Sequence, residues 1–148
     1  MKKLIALVVA SGLFLTTSAQ ESMEKVMEKR AREMHRVLGL TSKDEWKKFV
    51  KENYSQTLID KPMRAQIAEG NSGTTVEGKA ADNLEGKAMM LERLHEDFGG
   101  SKIVSIKSEG EIIKMVLEND QGQSGTFQLK FNKVKPYLID GLGIEVGN

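Results

Sequence analysis

From Ala88 to Val146 the chain reads AMMLERLHEDFGG (88–100), KIVSIKSEG (102–110), EIIKMVLENDQG (111–122), QSGTFQLKFNK (123–133) and PYLIDGLGIEVG (136–147). The change of period inside this run decides the fold. Leu84, Ala88, Leu91, Leu94 and Phe98 recur at the three-and-four spacing of one helix face. Asp82 with Glu85 three residues on predicts a variant of the capping box, and Gly99-Gly100 predicts a left-handed turn at the far end. Gly86 weakens the first turn by about 1 kcal/mol relative to Ala.

Beyond Gly100 the period becomes two. Val104 and Ile106 alternate with Ser105 and Lys107; Ile113, Met115 and Leu117 alternate with Lys114 and Glu118. Phe127, Leu129 and Phe131 follow, then Leu142, Ile144 and Val146. Alternation of this kind marks strands with one buried and one wet face, the antiparallel habit. Glu109-Gly110 and Asn119-Asp120-Gln121-Gly122 carry hairpin chemistry, and Pro136 precedes the last strand. The expectation is an α+β domain, with N-terminal helices packed on a curved antiparallel sheet of four or more strands. Ile112 and Val116 fall on the second face of their strand, so that face is partly covered too or meets a partner.

Residues 1–19 read as a signal peptide. Lys2-Lys3 is a positive n-region, Leu4 to Leu15 a short apolar run, and Thr17-Ser18-Ala19 small residues for cleavage. At roughly 12 residues the run is shorter than the ~20 a membrane span needs. Export to the periplasm or the medium, with cleavage near Ala19, is expected. Removing 19 of 148 residues leaves 129, and with them go two lysines and no acid, so the formal charge moves from +1 to −1. A single domain over 20–148 of this size buries about two-thirds of its unfolded surface. Mixed charge near neutrality gives no reason to invoke nucleic acid, and no stable membrane insertion is expected. Cysteine is absent, which excludes disulfides, a thiol nucleophile and lipid attachment through a cysteine.

Met23, Val26, Met27, Arg30, Ala31, Met34, Val37 and Leu38 mark a helix from about Ser22, closed by Gly39. Ser42 with Glu45 is a capping box opening a second helix, whose Trp46, Phe49, Val50 and Tyr54 share a face. Leu58-Ile59 reads as a short helical turn. Residues 61 to 82 hold Lys61-Pro62 and Gly70-Asn71-Ser72-Gly73, the chemistry of a polar loop or an insertion.

Catalytic and metal constellations do not assemble in the sequence. His35 and His95 lie on different helices, and neither has a second ligand at metal spacing. There is no GxSxG elbow and no phosphate loop; Gly141-Leu142-Gly143 lies on a strand, where glycines mark a bulge or crowding. No catalytic residue, metal site or cofactor is assigned. The apolar face of four strands is wider than one helix stripe covers. Trp46, Phe49 and Tyr54 must supply the rest of the lid, with Met23, Val26 and Met34 behind them. A gap in that lid would be a ligand pocket near Trp46, Tyr54, Leu94 and His95, suited to a small apolar ligand or a partner segment.

The run Leu91-x-x-Leu94-His95-x-Asp97-Phe98-Gly99-Gly100, closing on Pro136-Tyr137-x-Ile139-x-Gly141-x-x-Ile144, resembles a small bacterial module often fused to exported serine β-lactamase-like hydrolases. Phe49-Val50-Lys51-Glu52-Asn53 is similar to the module's early helix. The resemblance implies a cystatin-like, NTF2-like fold, with helices in the concave face of the sheet. It covers mainly residues 88–146, with no hydrolase domain alongside and residues 61–82 in excess, so it lends no hydrolase activity. The expectation is an exported, non-catalytic binding or accessory domain for an envelope protein or a small apolar ligand. The alternatives are a small NTF2-like enzyme using His95 or an acid as general base, and an inhibitor or regulator of an envelope hydrolase.

Overall fold

The computed structural model describes residues 21–61 and 83–147. The expected signal peptide, the Asp82 cap and the polar segment from 62 to 82 lie outside these residues. Four helices come first: α1 (Met23–Leu38), α2 (Lys43–Asn53), α3 (Gln56–Asp60) and α4 (Asn83–Phe98). Four strands follow: β1 (Lys102–Glu109), β2 (Ile112–Glu118), β3 (Ser124–Phe131) and β4 (Ile139–Gly147). They form one antiparallel meander in the order β1-β2-β3-β4. The domain is α+β, with the helices packed on one face of the sheet.

Three of the helices, α1 to α3, start where a serine can accept from an orphan amide. Ser22 accepts from the Lys25 N–H, Ser42 from the Glu45 N–H and Ser55 from the Leu58 N–H. Glu85 reaches Lys47 on α2 at 2.5 Å. Lys87, buried in the first turns of α4, donates from Nζ to the Lys61 carbonyl, and burial pushes its ammonium pKa down. Among the described residues, no helix is long and apolar enough to cross a membrane.

Two expectations about glycine and register change. Among the described residues the positive-φ glycines are Gly110 (62°) and Gly122 (78°), each in a hairpin turn; Gly99 and Gly100 are not among them. Gly99 is needed for space instead, because a Cβ there would lie 2.5 Å from Nδ1 of His95. In β1, Ile103 pairs with Leu117 and Ser105 with Val116, so Val104 is the extra residue of a β-bulge. Ile103 and Ile106 therefore share the core side, while Val104 stays 54% exposed. A strict alternation through Val104 puts it on the wrong face, because a bulge resets the period. A second register shift, between Lys130 and Phe131, sets Asp140 beside Gly141, where a bulge was expected.

The core fills as the period of two demands. Ile113, Met115, Leu117, Phe127, Leu129 and Phe131 are all buried. Phe98 closes the end of α4 edge-on to Phe127, with centroids 5.3 Å apart and planes at 86°. It fits because position 125 is glycine; a Cβ there would lie 2.5 Å from the Phe98 ring. On the opposite face Lys114, Gln128 and Glu145 stand among the half-buried Ile112 and Val116. Lys114 of this face pairs with Glu109.

Candidate functional site

The four residues expected around a pocket do not share one opening. Trp46, Tyr54 and Leu94 keep 3, 2 and 9% of their surface exposed. Trp46 donates from Nε1 to the Val37 carbonyl at 2.8 Å. Nδ1 of His95 lies 2.6 Å from the next carbonyl, Leu38, and so carries the proton that it shares with that oxygen. The two rings meet at 5.6 Å, inclined at 45°. Together they bond the last two carbonyls of α1, and Val37 accepts from the Leu40 N–H as well. Tyr54 lies apart from this pair, edge-on to Phe49, with its hydroxyl buried and unpartnered. His35 is also a strut, its Nε2 2.8 Å from the Ser101 carbonyl. This is fastening geometry. Among the described residues, no three His, Cys, Asp or Glu side chains gather closely enough to hold a metal ion.

An opening lies on the other side of α1. A cleft of about 500 Å³ runs between the outer side of α1, the end of α2 and the β3–β4 loop. Its walls are Glu21, Val26, Lys29, Arg30 and Glu33 from the α1 side, Asn53 from α2, and Lys135, Pro136 and Tyr137 from the loop. Val26, expected behind the lid, faces this cleft. The loop is shaped by two backbone features: the Lys135–Pro136 peptide is cis, and Tyr137 sits at φ 56°, a region bulky side chains seldom enter. The Tyr137 N–H donates to the Val134 carbonyl at 2.8 Å, and Asn132 Oδ1 accepts from the Leu138 N–H.

Arg30 joins all three walls. Its Nη1 donates to Asn53 Oδ1 at 2.5 Å and to the Glu52 carbonyl at 3.3 Å; its Nη2 donates to the Pro136 carbonyl at 3.0 Å. Asn53 is itself buried and donates from Nδ2 to the Phe49 carbonyl, so the amide orientation is set by its own helix. Arg32 and Arg36, on the same helix, pair with Glu28 and Glu33. Arg30 instead meets neutral oxygens, with no carboxylate paired to it among the described residues, and burial lowers its pKa. Its Nε is buried without a partner.

Sequence patterning passes over this site because the cleft needs contacts 106 positions apart, Arg30 to Pro136. One signal is present nonetheless. Arg30 stands in the apolar stripe of α1, three residues after Met27 and four before Met34, where a charge must find buried partners.

Compared with protein-family models, curated proteins and solved structures, the chain finds no match.

Proposed function

We propose that this chain is an exported binding or accessory domain of the cell envelope, and that its binding site is the cleft between α1 and the β3–β4 loop. The observation that carries the reading is Arg30, a positive charge fixed by three neutral oxygens at the wall of an open cleft. The volume lies in the range of small-ligand sites, and Val26, Pro136 and Tyr137 give it apolar walls. The short apolar run and small residues at 1–19 support export, and the α+β arrangement agrees with a cystatin-like, NTF2-like relationship. The site moves from Trp46, Tyr54, Leu94 and His95, whose rings and polar atoms serve the packing of α1, α2 and α4.

A thermal-shift survey of the mature chain against small amphipathic molecules tests the reading. A ligand at a hundred times its Kd stabilises by about 2.7 kcal/mol. The survey is repeated on Lys29→Trp, which fills the cleft from an exposed position. Compounds that raise the melting temperature of the natural chain and not of the variant support the cleft. No stabilising compound, or equal stabilisation of both, contradicts it.

A further inference from the structure

We propose that the cleft accepts an anionic ligand, a carboxylate held at Arg30 with a short apolar body laid along Val26, Pro136 and Tyr137. This rests on the cleft being the binding site and names the class of ligand it takes.

The argument begins with charge. Three cations, Lys29, Arg30 and Lys135, and two acids, Glu21 and Glu33, line the cleft. Glu33 is already taken, because Arg36 meets it at 2.8 Å and that hydrogen bond holds its carboxyl below the usual range. Three positive groups therefore face one acid, Glu21, whose place is just ahead of α1. A guanidinium bonded to carbonyl oxygens has lost water without gaining a counter-charge, and its lowered pKa records that cost. An anion restores the balance.

Geometry then selects the anion. Asn53 and the Glu52 and Pro136 carbonyls hold the guanidinium plane, so little side-chain freedom is lost when a ligand arrives. These oxygens take both Nη1 hydrogens and one Nη2 hydrogen, and Nε is buried, so one Nη2 N–H is left for a single carboxylate oxygen. The remaining wall is apolar, which suits a side chain of about the size of leucine or phenylalanine. A free acid and the terminal carboxylate of a peptide share this chemistry.

The test titrates the mature chain with N-acetyl-leucine, N-acetyl-leucinamide, the tripeptide Ala-Ala-Leu and its amide, following backbone and Arg30 side-chain NMR signals. Expected are shifts at Arg30, Asn53 and Tyr137, with each acid binding about tenfold more tightly than its amide, the effect of one charge-assisted pair. Salt should weaken the acids and leave the amides unmoved. Stronger binding by the tripeptide acid identifies a chain terminus; stronger binding by the short acid identifies a free small acid. Arg30→Lys keeps the charge and loses the placed Nη2 N–H, and should weaken the acids about tenfold. Because Arg30 also joins three elements, Lys135→Glu, at an exposed rim position, is the second variant, and should weaken the acids with the fold intact. Acid and amide binding equally would overturn the carboxylate while leaving the cleft as a binding site. Absence of shifts with all four probes would overturn it as well, and the Lys29→Trp survey then decides whether the cleft binds anything else.

Discussion

Trp46 Nε1 and His95 Nδ1 meet consecutive carbonyls, Val37 and Leu38, while their rings lie 5.6 Å apart. Two side chains from different helices thus finish a third helix. The sole tryptophan and one of the two histidines are occupied in holding α1, α2 and α4 together, and the open surface is left to the far side of α1.

Trp46→Phe keeps the ring in place and removes the N–H. The Val37 carbonyl then keeps the Leu40 N–H at 3.1 Å and loses the indole, a net cost of about 0.5–1.5 kcal/mol. Urea denaturation should show a lower midpoint with an unchanged slope. An unaltered midpoint would mean that the indole does not cap α1.

Gly125→Ala puts a methyl group where the Phe98 ring stands, 2.5 Å from its nearest atom. Overpacking of this kind costs about 1–3 kcal/mol. Phe98→Leu in the same chain should relieve part of the clash, so the double variant should lie above the sum of the two single losses. Strict additivity would deny the contact.

Tyr54 gives a dependence on pH with a definite sign. Burial without a hydrogen-bond partner raises its phenol above the ordinary value of 10.0. The unfolded chain therefore releases this proton first, and the folded chain keeps it. The stability tied to this group is full below pH ~10 and falls as pH rises beyond it. Tyr54→Phe should be neutral or stabilising by up to about 1 kcal/mol near neutrality, because an unsatisfied group is removed. Its advantage over the natural chain should widen above pH ~10. A destabilised variant would show that the hydroxyl has a partner.

These residues also show what could be read in advance. The Ser42 cap, the buried faces of β2 and β3 and both hairpin turns follow from local chemistry, so Ser42, Phe127 and Gly122 sit where their types predict. Val104 fails because a bulge is decided between strands, by how β1 is paired with β2. Gly99 fails for a related reason: its role is to let the His95 side chain fold back, and nothing in a glycine pair says that crowding, rather than φ, requires it. The cleft fails most completely. Its walls come from both ends of the domain, and the residue that joins them, Arg30, looks from sequence like one charge in a helix of many.

The most direct measurement is a residue-by-residue map of ligand-induced shifts on the chain over residues 20–148, taken with the carboxylate probe at saturation. The account predicts changes at Val26, Arg30, Asn53 and Tyr137, with the Trp46 indole and His95 ring signals unmoved. Shifts centred on Trp46 and His95, with the Arg30 cleft silent, would contradict it.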